Sequence, residues 1–319
     1  MNSIYPILEV SGLTVKFQTK NNWFHAVNDL SFKLLKGEVL GVVGESGCGK
    51  SVTCKAIMQL HDDGVQTGTV RLNGQDISDL PDHILNKIRG KRIAMVFQDA
   101  LSSLNPVLSI GRQIIEILRH HNVMSKVDAR DAAISMLTRM GVQDAAQRLA
   151  CYPHQQSGGI NQRIVIAMAL SCGPEVLLAD EPTAALDPTI QLQIHDLFRE
   201  LKGQLSILLV SHNLGAIRDL ADRVIIMYRG MIVEEQPVDP FFSDPKHPYS
   251  KALLSAVPFL GRSRIVLPGE PPQKDAYSKG CPFADRCLFV DENHCRQKLP
   301  DLIELDHQTK VRCHYAESK

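Results

Sequence analysis

One octapeptide in this chain combines the residue types and the spacing needed to hold a phosphate. Gly44, Glu45, Ser46, Gly47, Cys48, Gly49, Lys50 and Ser51 satisfy G-x-x-x-x-G-K-[ST], behind the apolar run VLGVV and ahead of the helical pattern VTCKAIMQL. Glycines at these positions let successive backbone N–H groups turn inward around phosphate oxygens, and a helix starting at the loop adds its positive end. In that frame Lys50 reaches the β- and γ-phosphates while the Ser51 hydroxyl ligates Mg²⁺. The order strand, loop, helix separates this from a bare glycine turn, and it implies that the chain binds a nucleoside triphosphate. About 130 residues later, Val176-Leu177-Leu178-Ala179-Asp180-Glu181 sets two carboxylates at the C-terminal end of an apolar strand, where ligands gather in parallel sheets. Alone, such a pair is ordinarily a helix cap or a solvated turn. Beside a phosphate loop, Asp180 can hold Mg²⁺ through water and Glu181 can polarise a water for in-line attack on the γ-phosphate.

The elements that must position these groups follow from periodicity. Val39 to Val43, Arg92 to Phe97, Val176 to Ala179, Ile207 to Val210 and Arg223 to Tyr228 are short β-branched runs. Helix-length segments separate them, the pattern of a parallel sheet with crossover helices. Ile7 to Phe17 and Val70 to Leu72 alternate instead, as antiparallel strands do. From about Asn105 to Leu170 the strand signal stops, and IGRQIIEILRH and DARDAAISMLTRMGV predict an inserted helical subdomain. The expected fold is α/β, a mixed sheet core of the P-loop NTPase kind. After Val257 the composition shifts to Pro, Gly and Cys, with LPGEPPQK a linker into a small loop-rich tail. The expected division is therefore residues 1–257 and 258–319.

Composition bounds the function from the other side. The 319 residues are 44% hydrophobic and 22% charged, which excludes collagen, disorder and a small disulfide knot. Thirty-five Lys and Arg balance 35 Asp and Glu, so no net field draws the chain to nucleic acid or an anionic membrane. The longest apolar stretch, Ile164 to Cys172, is about nine residues, against the roughly twenty of a membrane-spanning helix. The opening MNSIYPILEV has no signal-peptide pattern, so a cytosolic location is expected and the cysteines read as thiols or metal ligands.

Residues 7 to about 257 resemble the ATP-binding subunit of ABC transporters, because the remaining motifs of that family follow in order. Gln98 in VFQDALSSLNP matches its glutamine loop, and Gln156-Ser157-Gly158-Gly159-Ile160-Asn161-Gln162 its signature motif. Ala184-Ala185-Leu186-Asp187 matches the D-loop and His212 in ILLVSHN the switch histidine; Phe17 stands where an aromatic stacks on adenine. The resemblance implies ATP and Mg²⁺ as cofactors, with Gln98, Glu181 and His212 in catalysis and Ser51, Gln98 and Asp180 toward the metal. It also implies a head-to-tail pair of cassettes, each ATP lying between one subunit's Lys50 side and the other's Ser157, Gly158 and Gly159, with Asp187 at the junction. Gln156, Ala184, Ala100 and Asn213 depart from the family's usual Leu, small hydroxyl, Pro and Asp; none of these removes a phosphate-binding, metal-binding or water-polarising group.

HPYSKALLSAVP, the linker and the cysteine tail resemble the oligopeptide/dipeptide/nickel branch of ABC importers. That branch implies peptide uptake first, with nickel or another small solute as the alternative, and a soluble ABC ATPase unconnected to transport as a further one. Its implied partners are two integral membrane permeases, an extracytoplasmic solute-binding protein and a second ATP-binding subunit, a sister chain or a second copy. Its implied location is peripheral, on the cytoplasmic face of the inner membrane. Cys281, Cys287, Cys295 and Cys313 form a soft-ligand set without the paired C-x2-C of a zinc ribbon. Some members of the branch carry a [4Fe-4S] cluster on a similar tail; zinc and free thiols stay open. Lying outside the ATP motifs, the tail is expected to be structural or regulatory.

Overall fold

The computed structural model describes residues 5–20, 22–60, 63–184, 186–257, 263–269 and 279–316. Two compact units emerge, one of Met1–Leu8, Leu34–Val39 and Arg71–Val210, the other of Glu9–Lys33, Leu40–Val70 and Ser211–Lys319.

In the first unit, β6 (Ile93–Val96), β7 (Val176–Asp180) and β8 (Ser206–Val210) are buried along their whole lengths. They pair in parallel, Val96 opposite Ala179 and Asp180 opposite Val210. Continuous apolar runs are what parallel strands covered on both faces require, and the last residue of β7 is the predicted metal carboxylate. A two-residue β5 (Gln75–Asp76) returns along the end of β4 (Gly64–Leu72), and α2 (Asp82–Ile88) leads into β6.

Between β6 and β7 the chain is helical, as the sequence predicts. It runs through α3 (Ala100–Ser103), α4 (Ile110–His121), α5 (Lys126–Arg139), α6 (Ala145–Arg148) and α7 (Gly158–Leu170). Helix α4 starts where the Ser109 hydroxyl accepts the Arg112 N–H, buries Ile110, Ile114 and Leu118 on one face, and ends in Arg119, His120 and His121 beside its negative pole. Helix α5 repeats the device with a Ser125 cap and buried Ala129, Ala133 and Leu137. After β7, α8 (Pro188–Leu201) opens with Asp187 as its cap and Pro188 in its first turn.

The second unit holds β1 (Pro6–Gln18) and β2 (Trp23–Leu35) over most of their lengths, in sheet order β2-β1-β4. It also holds β3 (Val39–Val43), which pairs in parallel with β9 (Arg223–Tyr228), Val43 opposite Ile226. The phosphate motif leaves β3 and enters α1 (Lys50–Ile57). Helix α9 (Leu214–Leu220) precedes β9; Asn213, one of the departures from the family pattern, caps it by accepting the Gly215 and Ala216 N–H groups at 2.9 and 3.3 Å. A two-residue turn, Arg229 and Gly230, both at positive φ, folds β9 onto antiparallel β10 (Met231–Pro237). Two short helices follow, α10 (Val238–Ser243) and α11 (Pro248–Ser255).

The described residues of the C-terminal extension hold more regular structure than their Pro, Gly and Cys content suggests. Strands β11 (Ile303–Asp306) and β12 (Thr309–Val311) form a hairpin that continues the sheet from β10, Val311 opposite Glu234. Arg312 locks this addition, its backbone N–H donating to the Val233 carbonyl and its Nε to the Ile232 carbonyl, both at 2.9 Å. Strands of three or four residues carry too few alternations to register in a sequence pattern. Among the described residues no helix is long and apolar enough to cross a membrane.

Candidate functional site

The phosphate motif adopts the geometry its glycines allow. Gly49 sits at φ 106°, and a Cβ there would lie 2.3 Å from the Ala26 carbonyl oxygen, so no other residue fits. The Lys50 side chain is buried and folds back over its own loop, Nζ donating to the carbonyls of Gly44 at 2.8 Å and Glu45 at 3.1 Å. A buried ammonium held by neutral carbonyls is a standing site for an anion, since an oxyanion would bring the opposite charge that these acceptors lack. Burial pushes the Cys48 thiol up, against the pull of Lys50, so it stays neutral inside the loop. Phe17 and His212 belong to the same unit. Phe17 is half-buried on β1 beside Gly64, and His212 is exposed just past β8.

The other unit brings together two of the predicted catalytic groups, Gln98 Nε2 donating to Glu181 Oε2 at 3.1 Å. Glu181 takes φ 47°, a left-handed conformation uncommon for a non-glycine residue, and its N–H donates to the Val210 carbonyl at 2.9 Å. The strained turn thus fixes the carboxylate at the end of β7, next to buried Asp180. Ser157 caps α7, with Ile160 N 3.4 Å from its hydroxyl, and leaves Gly158 exposed at the positive end of the helix. Gln156 accepts a hydrogen bond from the Arg148 guanidinium, a polar contact that the family's usual leucine could not make. Asp187 caps α8 through Ile190 N at 3.0 Å, and Ala185 of the D-loop lies outside the described residues.

In the extension, Cys281, Cys287, Cys295 and Cys313 all line one cavity, with Phe283 and His314 also in its wall. The Phe289 N–H donates to Cys287 Sγ at 3.4 Å. Burial pushes the Cys281 thiol up to about 12 and raises Cys287 and Cys313 as well. Among the described residues, no group of three or more His, Cys, Asp or Glu side chains is set to hold a metal ion.

The extension lies outside the ATP motifs in sequence and touches the phosphate loop in the structure. Arg286, next to Cys287, donates from one guanidinium nitrogen to both carboxylate oxygens of Glu45, at 2.8 and 3.1 Å. The Glu45 N–H donates to the Tyr249 hydroxyl at 3.0 Å. Nothing local in sequence announces either contact, because 241 and 204 positions separate the partners.

The fold and these motifs define an ATP-binding cassette. The ABC transporter family model matches residues 27–184, and a second model, the C-terminal region of oligopeptide/dipeptide transporters, matches 233–295. The dimeric cassette MJ0796, in a post-hydrolysis state bound to ADP and Pi, superposes with a TM-score of 0.66 at 28% identity, covering 72% of this chain and 98% of that one. A Brucella abortus (strain 2308) protein named for peptide import and ATP binding is 48% identical over 315 residues, 97% of this chain and 94% of its own length. The oligopeptide transport ATP-binding protein OppD of Escherichia coli K12 is 45% identical over 90% of this chain and 87% of its own. The dipeptide transport ATP-binding protein DppD of Bacillus subtilis 168 is 46% identical over 88% and 86%. The chain belongs to this family of peptide-transporter ATP-binding subunits.

Proposed function

We propose that this chain is the ATP-binding and ATP-hydrolysing subunit that energises an ABC importer of di- or oligopeptides. The observation that carries the reading is identity of 45–48% with peptide-import ATP-binding subunits along nearly the whole chain, extension included. The backbone of residues 44–51 and Lys50 take the β- and γ-phosphates; Ser51, Asp180 and Gln98 serve Mg²⁺; Glu181 polarises the attacking water; His212 senses the γ-phosphate; Phe17 stacks on the base. Ser157, Gly158, Gly159 and Asp187 act on the ATP of a second ATP-binding subunit. The cassette spans 1–257 and the extension 258–319. Two permeases and an extracytoplasmic binding protein complete the assembly, which places this chain at the cytoplasmic face of the cell's inner membrane, without contact to nucleic acid.

Purified chain should retain labelled ATP with Mg²⁺ and turn it over. On co-expression with its two permeases it should sediment with membranes, and without them stay in the supernatant. ATP turnover with no membrane association in either case would leave a soluble ATPase and remove the importer.

The cysteine cavity supports a [4Fe-4S] cluster. Four thiols lining one cavity are the donor set that tetrathiolate iron–sulfur sites use, and the N–H donated to Cys287 Sγ is the kind of contact that stabilises cluster thiolates. Bound there, the cluster would cross-link the extension. Because burial raises the Cys281, Cys287 and Cys313 thiols, loading must release protons and weaken as pH falls. Anaerobically purified protein should be brown, with broad absorbance at about 400 nm and about four irons per chain. Colourless protein with stoichiometric zinc would overturn this.

A further inference from the structure

Glu45 is held at three points. Its carbonyl accepts from Lys50 Nζ at 3.1 Å, its N–H donates to the Tyr249 hydroxyl at 3.0 Å, and its carboxylate takes the Arg286 guanidinium at 2.8 Å. Only the first of these is made inside the phosphate loop. The other two come from the C-terminal third of the chain, which fixes both the backbone and the side chain of the loop's second residue.

The support for Arg286 is itself built in. Three residues earlier, Phe283 is fully buried against Tyr228 and Tyr249, with ring centroids 5.2 and 5.4 Å away. The Tyr228 hydroxyl lies 3.5 Å from the guanidinium. Arg286 is only 7% exposed, and its buried Nε has no hydrogen-bond partner. An ion pair that joins a buried guanidinium with an unsatisfied donor to a partly exposed carboxylate contributes little net stability, and apolar residues of similar volume commonly do as well or better. Its value at this place is therefore geometric. It pins the entrance of a loop whose backbone must match a triphosphate to within a fraction of an ångström.

We propose that Arg286 is a positioning residue of the nucleotide site: by fixing Glu45, with Tyr249 holding the same residue's backbone, it makes the cysteine-bearing extension a working part of phosphate binding. This rests on the reading of residues 44–51 as the ATP phosphate site.

Steady-state ATPase kinetics on the full chain test it. Arg286→Gln should raise KM for ATP about tenfold, the loss of one charge-assisted contact, with kcat within about threefold of the parent. Arg286→Lys should recover part of the affinity, since a point charge restores the attraction to Glu45 without the guanidinium's planar shape. Glu45→Gln breaks the same pair from the loop side and keeps the test available if Arg286→Gln does not fold. The double variant should be no worse than either single one, because both remove one interaction. Unchanged KM in the Glu45 and Arg286 variants, or a melting temperature that falls while KM stays, would overturn the proposal and leave a structural pin. Lys50→Ala, assayed alongside with labelled ATP, separates the two readings. If it binds ATP normally, the phosphate-site assignment itself fails. If it loses ATP while Arg286→Gln keeps the parental KM, only the positioning role falls.

Discussion

Glu181→Gln should bind ATP as the parent does and hydrolyse it about 10²- to 10⁴-fold more slowly, the range that a positioned general base contributes. The substitution is close to isosteric. The residue's N–H donates to the Val210 carbonyl whatever its side chain, and the left-handed turn at φ 47° is as accessible to Gln as to Glu. The change removes the negative charge that the proposed role needs to draw a proton from water, while leaving an amide that still accepts from Gln98 Nε2, now 3.1 Å from the carboxylate. Single-turnover hydrolysis and equilibrium nucleotide binding read the two effects separately. Because the γ-phosphate then persists, the variant should also accumulate as an ATP-bound dimer on size-exclusion chromatography. Unchanged turnover would remove Glu181 as the water-polarising group. A parallel loss of binding and turnover would mean that the carboxylate holds the turn rather than the water.

What the sequence revealed and what it hid divide along one line, whether the information is local. The run VLGVV, the loop Gly44–Ser51 and the helix after it are contiguous, so a purely apolar strand, a glycine-rich turn and a helix start can be read in succession, and the structure forms all three. The acidic end of β7 was legible for the same reason. Strand β2 was not, because its alternation breaks where Ala26 and Val27 are both buried and where Asp29 turns to φ 50°. Strand β10 hides behind its own chemistry. Glu234, Glu235 and Gln236 are all buried, and a hydrophobic pattern cannot see a buried carboxylate. Glu234 is tolerated because it accepts the Lys246 and His247 N–H groups, each at 2.8 Å, and the Gln236 side-chain amide at 2.7 Å. The docking of the cysteine segment through Phe283 and Arg286 was hidden because it depends on partners more than 30 and 200 residues away.

Gly158→Asp should abolish ATPase activity while leaving the isolated chain at least as stable as the parent. A Cβ at this position would meet nothing within 4 Å, and the residue opens α7 with ordinary negative φ, so the fold of one chain places no demand for glycine there. A carboxylate in the first turn faces the positive end of the helix and contributes about 0.3–1 kcal/mol of stability. If the α7 start closes on the triphosphate of a second subunit, the same carboxylate meets like charge at short range, which costs several kcal/mol. That is a loss of at least about 100-fold in the closed state. ATP bound by the Lys50 loop of the single chain should be unaffected, since that contact needs no partner. Thermal melting, nucleotide binding and turnover together separate this from misfolding. The test sharpens when the two substitutions are combined: Gly158→Asp should dissolve the ATP-bound dimer that Glu181→Gln accumulates. A dimer that survives the added carboxylate, with activity retained in the single variant, would show that the exposed glycine serves no nucleotide across the interface, and the head-to-tail arrangement would have to be abandoned.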